Sequence, residues 1–519
     1  MERASTVWTR SSWLLLLGLF LVNVYRARTQ SITIDEAYTY NQHISKGWIS
    51  LLTSYDANHH VLNSYLSKLS LAAFGLSEFS LRLPSLALGT LYFAAIFQLS
   101  RRVFGSGWFL LLAVAALALN PFVLDHLSAA RGYGMALAFW MWALLEMTRY
   151  LARKGPVAAL EVHEQQPADL PRPSLRFAGS CLEAEDSLRR LYRAALALAL
   201  GTAANLSLLL PALALGAVFV LLATGDLWLA GKRSEAAREA ARARDHLFVP
   251  AATVLFAIVV LPLTRAEPSL FYFGAPTLAG TFRSVIELSF FPRPLSGVPV
   301  WLGQRFSLAP PALIAAAALA WTAVALRWLR GRRLRALEEI DRFFLLSAGA
   351  MLATLMALFA ARHAFGVLYP LSRTALYWAP LVTLMALALA EKSRRWRPLW
   401  AAGCLLIAAS VALFVLQFSV SRYAEWGFDA GTSRIVSAIR RQPPRARPVR
   451  IVASWELEPS LNFYRQMHQL ERQWEPVDRR TPEEPADYRV LLPRDHALID
   501  KLRLRVLYRD ELSGAVLAQ

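Results

Sequence analysis

Along most of this chain apolar residues do not alternate with polar ones; they run in long blocks. The segments 12–25, 82–99, 107–119 and 133–152 carry few charges, and polar residues crowd into the gaps between them. A helix that crosses the hydrocarbon of a bilayer needs roughly 20 mostly apolar residues. Further blocks lie at 192–206, 209–229, 247–263, 308–328, 344–361, 373–391 and 399–420. The pattern predicts a polytopic α-helical membrane protein with about eleven transmembrane helices. After residue 420 the pattern changes. "VRIVASW", "YRVLLP" and "RLRVLYRDEL" read as short strands, and "GTSRIVSAIRRQ" and "PSLNFYRQM" read as helices. The chain therefore divides into a transmembrane domain, 1–420, and a small C-terminal α/β domain, 421–519.

Charge orients these blocks. Arg101-Arg102, Arg153-Lys154, "GKRSEAAREAARARDH", "RWLRGRRLRALEEIDR" and "EKSRRWRP" fall in alternate gaps, which the positive-inside rule assigns to the cytoplasm. The N-terminus is then cytoplasmic, and 26–79 is the first outer loop. The C-terminal domain is extracytoplasmic, and the expected location is the plasma (inner) membrane. The Pro-containing polar stretch 153–191 reads as a mobile cytoplasmic loop. No small-residue cleavage site follows the block Trp13 to Tyr25, so it reads as a retained signal anchor.

Composition sharpens this. With 56% hydrophobic and 18% charged residues, an ordinary soluble protein is excluded. The net charge of +19 is distributed over the basic gaps and calls for no nucleic acid partner. Cys181 and Cys404 fall in a cytoplasmic loop and a membrane helix, where no disulfide is expected.

Ionisable side chains at the outer ends of membrane helices are costly, so they are functional candidates. "SITIDEAYTYNQH" places Asp35 beside Glu36 just past the first block, and "SYDANHH" adds Asp56, His59 and His60. A carboxylate near a low-dielectric boundary can act as a general base. Asp35 reads equally as an N-cap for a helix beginning at Glu36. His beside Asp or Glu also suits a divalent metal ion. The second outer loop, "NPFVLDHLSAARGYGMALAF", supplies Asp125, His126 and Arg131, with Asp125 a cap or a partner for Arg131. Arg82, Arg265, Arg283, Arg362 and Arg373 share the outer face, and Tyr369 lies near the last two. Arg forms bidentate bonds to phosphate; at a helix end it also snorkels to lipid headgroups.

The order of these pieces resembles the GT-C membrane glycosyltransferases, in the branch of the protein O-mannosyltransferases and lipid A aminoarabinose transferases. The resemblance rests on the acidic pair, "DANHH", "FGLSEFSLRLPSLALGTLYFAAIFQLSRRVFG", "SAARGYGMALAF" and the late "YPLSRTALYWAP", and is densest over the first 150 residues. It implies a catalytic acidic residue at Asp35, with Glu36 beside it. Acceptor or metal roles fall to Asp56, His59, His60, Asp125 and His126. Donor-phosphate contacts are expected from Arg131, Tyr369 and Arg373, with Arg362 and Arg82 as further candidates. Many relatives carry His-Pro-Pro where this chain has His59-His60-Val61, which weakens the metal assignment. The implied reaction is inverting transfer of a sugar from a polyprenyl-phosphate donor to an extracytoplasmic lipid, glycan or protein. The alternative is a transporter or flippase of lipid-linked sugars, for which inverted repeats and midplane charges are expected.

Overall fold

The computed structural model describes residues 2–152, 175–266, 273–292, 309–331, 333–479 and 483–519. The apolar blocks lie on long helices that include Glu2–Thr29, Glu78–Phe104, Gly132–Leu151, Leu209–Leu229, Glu339–Phe365, Trp378–Lys392 and Arg397–Gln417. Among the described residues, eight helices are long and apolar enough to cross a membrane. The count is nine if the bent pair Trp108–Ala118 and Pro121–Ser128 is one span.

That pair turns by 64°. Asn120 starts the second piece, its side chain accepting from the backbone N–H groups of Phe122 and Val123, with Pro121 at the first helical position. An Asn cap followed by Pro is a strong local start signal, so the break is written into "NPF". It turns Asp125 and His126 inward, and both are buried.

The expected mobile loop 153–191 needs correction. Residues 153–174 lie outside the described residues, but from Leu175 the chain is helical through Ala204. Glu185–Arg189 and Asp186–Arg190 pair one turn apart at 2.5 and 3.0 Å and support the early turns of this helix.

Gly132 and Gly134 explain "RGYG". A Cβ on Gly132 would sit 1.9 Å from the Ala204 carbonyl oxygen, and one on Gly134 2.1 Å from that of His126. Only Gly lets the start of the Gly132–Leu151 helix approach both backbones so closely. This close packing brings Tyr133 between His60 and His126.

At the end of the bundle away from Asp35, buried carboxylates are matched by cations. Glu146 meets Arg149 at 2.8 Å and Arg190 at 3.2 Å, and Asp341 meets Arg327 at 2.8 Å together with Lys392. A buried charge is tolerated when paired in this way.

The C-terminal region carries a four-stranded sheet in the order β1-β2-β4-β3, with β1 at Ile451–Ala453, β2 at Tyr488–Leu491, β3 at Val506–Arg509 and β4 at Val516–Ala518. β1 and β2 are parallel, Ile451 opposite Tyr488; β4 runs antiparallel to both β2 and β3. β4 is the strand the sequence pattern did not indicate. Helices Thr432–Arg440 and Glu458–Met467 accompany the sheet.

The sheet region does not stand apart from the first loop. Ile435, Phe463, Val490 and Leu517 share one apolar cluster with Ile32, Ala37, Tyr40 and Ile44. Backbone N–H groups reinforce the seam: Ile32 donates to the Tyr464 hydroxyl at 3.0 Å, and Ile34 to Asp429 at 2.6 Å.

Candidate active site

The acidic pair lies on a single turn, Ile34–Thr39, whose N-cap is Thr33 rather than Asp35. The Thr33 hydroxyl accepts from the Glu36 N–H at 3.3 Å, and Glu36 Oε2 accepts from the Thr33 N–H at 2.9 Å. This reciprocal capping box leaves Asp35 free of any capping duty.

Glu36 is occupied elsewhere as well. Its Oε1 accepts from Arg82 Nε at 2.8 Å and the Ala130 N–H at 2.6 Å, and its Oε2 accepts from Arg82 Nη2 at 2.6 Å. Arg82 also donates to the carbonyls of Ala27, Gln30 and Ser31 at 3.2, 2.7 and 2.8 Å. These bonds use all five guanidinium N–H groups, and the residue is fully buried. The structure therefore makes Arg82 and Glu36 a structural clasp between the helix Glu78–Phe104 and the two loops. It leaves Arg82 nothing to offer a phosphate.

Asp35 faces the other way. Its Oδ2 accepts from Trp426 Nε1 at 2.8 Å and lies 3.2 Å from Arg373 Nη2. Arg131 donates to the Asp35 carbonyl at 3.1 Å and to Thr39 Oγ1 at 2.7 Å. Burial opposes ionisation of Asp35, but Arg373 and then Arg131, helped by the Trp426 N–H, outweigh it and lower its pKa. Asp35 is thus a buried carboxylate held ionised between two cations.

Arg373 is the hub of this group. Its Nη1 donates to Glu425 Oε1 at 2.6 Å, and its guanidinium lies 5.1 Å over the Phe273 ring. A small cleft lies beside it, lined by Tyr133, Asn205, Ser207, Leu208, Arg373 and Tyr377 among others.

Two histidines pack behind Tyr133. Tyr133 packs edge-on against His60 at 4.6 Å and lies tilted to His126 at 5.2 Å between ring centroids. His60 Nδ1 meets the Ala204 carbonyl at 3.2 Å, and His59 Nδ1 the Ser54 carbonyl at 2.9 Å. Their Nε2 atoms and both ring nitrogens of His126 have no hydrogen-bond partner. Burial, with His43 second, lowers His59 to about 4, and His60 is pushed down by burial and then Arg131.

Asp56 belongs to the loop. It accepts from the Tyr38 hydroxyl at 2.9 Å and the Asn58 N–H at 2.8 Å, and lies 3.3 Å from His43 Nε2. His43 stacks on His59 with centroids 4.2 Å apart. Asp125 pairs with Arg26, not Arg131, and accepts from the Ala424 N–H at 2.7 Å. It ties the first helix to the chain that follows the last span.

The late segment divides. Arg373 reaches Asp35, whereas Tyr369 is buried and pairs through its backbone with Ala275 at 2.7 and 2.9 Å. Arg362 donates to the Gly366 carbonyl at 2.8 Å at the end of its own helix. Arg265 and Arg283 are exposed. Among the described residues no three His, Cys, Asp or Glu side chains gather as a metal-ligand set. His43 pairs with Asp56 at 3.3 Å, and His126 Nε2 lies 3.8 Å from Glu425.

Sequence reasoning passed over Glu425, Trp426 and His43. Glu425 follows the last apolar block just as Asp35 follows the first, so the same criterion of ionisable groups at helix ends applies to it.

Residues 58–160 match the model of the family described as dolichyl-phosphate-mannose-protein mannosyltransferase. No curated protein matches the chain. The structure is similar to that of ArnT from Cupriavidus metallidurans in the apo state, at 15% identity and a TM-score of 0.42 over 99% of this chain and 98% of that one. It is similar to the same protein bound to undecaprenyl phosphate, at 14% identity and a TM-score of 0.41, with the same shares of each chain. It is also similar to the oligosaccharyltransferase AglB from Archaeoglobus fulgidus in complex with an inhibitory peptide and a dolichol-phosphate. That likeness covers 88% of this chain and 63% of that one, at 15% identity and a TM-score of 0.40.

Proposed function

We propose that this protein transfers a sugar from a polyprenyl-phosphate donor to an acceptor on the extracytoplasmic side of the membrane, with inversion at the anomeric carbon. One observation carries the reading: Asp35 is a buried carboxylate 3.2 Å from Arg373, which lines a small cleft. The family match over 58–160, to transferases that use a dolichyl-phosphate sugar, supports a lipid-phosphate donor.

In the proposed step the acceptor oxygen or nitrogen forms a bond to the anomeric carbon as the bond from that carbon to phosphate oxygen breaks. Asp35 takes the acceptor proton, and the electron pair of the broken bond leaves on the phosphate. As in inverting glycoside hydrolysis, a single carboxylate activates the nucleophile. Phosphate is a good leaving group, so a cation such as Arg373 replaces a general acid. A phosphate that draws Arg373 toward itself also removes the charge that lowers the Asp35 pKa. The base then strengthens only when donor is bound.

The test is reconstitution of the purified protein with polyprenyl-phosphate sugars and cell-envelope acceptors, comparing wild type with Asp35→Asn. Transfer that collapses in a folded Asp35→Asn variant supports the reading. If wild type transfers nothing but moves the carrier across a liposome bilayer, the protein is a transporter.

A further inference from the structure

Glu425 is the residue that this reaction does not use. Its Oε1 accepts from Arg373 Nη1 at 2.6 Å and from the Ser372 hydroxyl at 2.8 Å. Its Oε2 is buried without a hydrogen-bond partner and lies 3.8 Å from Nε2 of His126, itself fully buried with neither ring nitrogen paired. Buried polar groups are nearly always satisfied, so two unpaired ones facing each other mark a place where a bond is made in some other state.

The backbone beneath is strained to hold this arrangement. Ser372 has φ 54°, the left-handed region that a non-Gly residue enters at a cost, and its N–H is held by Ser284 Oγ at 2.9 Å. This turn aims the Ser372 hydroxyl and the Arg373 guanidinium at one oxygen. An arginine, a hydroxyl and a nearby imidazole converging on an anion form a set that suits phosphate as well as carboxylate.

We infer that Glu425 is a built-in stand-in for the donor phosphate: its carboxylate fills the Ser372–Arg373 anion site until a lipid-linked phosphate displaces it, and His126 Nε2 then receives the displaced carboxylate. This rests on the proposed glycosyl transfer from a lipid phosphate. Arg373 Nη2 already faces Asp35 at 3.2 Å, so a phosphate that takes the Nη1 position must displace Glu425, and donor binding and the Glu425–Arg373 contact exclude one another. In the empty enzyme Glu425 on Nη1 and Asp35 at Nη2 together hold the buried Arg373. Glu425 follows the last span, where Gln30 Nε2 donates to the Val420 carbonyl at 2.9 Å. Displacement of Glu425 would therefore be felt by the C-terminal segment.

The experiment measures binding of undecaprenyl phosphate to the full chain in nanodiscs for wild type, Glu425→Gln and Arg373→Gln, with Arg373→Lys as a milder variant. Inorganic phosphate is run in parallel as the bare anion. Glu425→Gln keeps an oxygen for Ser372 but removes the competing charge, so it is expected to bind the lipid about tenfold more tightly, a modest return for relieving a like-charge contact. A structural salt bridge would behave oppositely, since its loss would misplace Arg373 and weaken binding. Unchanged or weaker binding by Glu425→Gln, or a gain confined to inorganic phosphate, overturns the inference. Both Arg373 variants are expected to lose affinity. If folded Arg373 variants bind as wild type does, the phosphate site of the proposed function falls as well. If they lose binding while Glu425→Gln gains nothing, only the stand-in role falls.

Discussion

The two sides of the Ile34–Thr39 turn carry one carboxylate each, and the chain treats them in opposite ways. Glu36 accepts four hydrogen bonds, from Thr33, Ala130 and twice from Arg82, and lies inside the protein at 1% exposure. Asp35 keeps only the Trp426 N–H and the Arg373 ion pair on one oxygen; both partners come from distant segments, and Arg373 lines a cleft. A saturated carboxylate can only hold things in place. One with lone pairs to spare beside a cation can take a proton. The difference follows from the helical turn, which sends adjacent side chains about 100° apart.

This contrast is broken first at Asp35. Asp35→Asn keeps an acceptor for Trp426 and leaves Arg373 its bond to Glu425. The fold is expected to survive while sugar transfer falls about 10³-fold, the middle of the range for a lost general base. Single-turnover transfer with thermal unfolding measured alongside checks this; equal rates would end the assignment.

Glu36→Gln should show the reverse. It leaves Arg82 as a buried cation with no counter-charge, at a cost of about 3 kcal/mol. The unfolding temperature and folded yield are expected to drop. A variant that folds normally yet loses transfer would erase the distinction between the two carboxylates.

Asp56 sharpens the comparison through pH. Burial opposes its ionisation, but His43, the Tyr38 hydroxyl and the Asn58 N–H prevail and lower its pKa to about 2. A folded value below the ordinary one of 3.8 stabilises the protein above that value, and the benefit is lost as pH falls through about 2. Asp56→Asn should therefore remove about 2 kcal/mol of stability at neutral pH. It should also flatten unfolding between pH 4 and pH 2, as measured in detergent. A wild type with no pH slope in that window would contradict the loop geometry.

Some of this was open to sequence reading for physical reasons. The membrane blocks are legible because a bilayer imposes length and composition on each helix. Asp35 is legible because charge at a helix end is unusual. That Glu36 and Arg82 are a clasp is not, because helix-end arginines read alike until their acceptors are seen. Asp125 has Arg131 nearby in sequence, yet folding gives it Arg26. Trp426 stands 391 positions from Asp35 and reaches it only because the C-terminal region shares a core with the first loop. A single sequence carries no periodicity that links them.

The smallest expected effect lies at that junction. Trp426→Phe removes one hydrogen bond to Asp35 while keeping an aromatic ring against His126, whose centroid is 5.4 Å away. A bond to a charged acceptor is worth about 1.5 to 3 kcal/mol, or roughly a ten- to 150-fold change in rate. The indole N–H favours the ionised carboxylate, so its loss should raise the Asp35 pKa and move the acidic limb of the rate profile to higher pH. Turnover is then expected to fall about tenfold, the low end of that range, with KM nearly unchanged, because the indole touches the candidate base and not the donor. A pH profile that does not move would mean that Trp426 only packs there, and that the C-terminal region covers the site without tuning it.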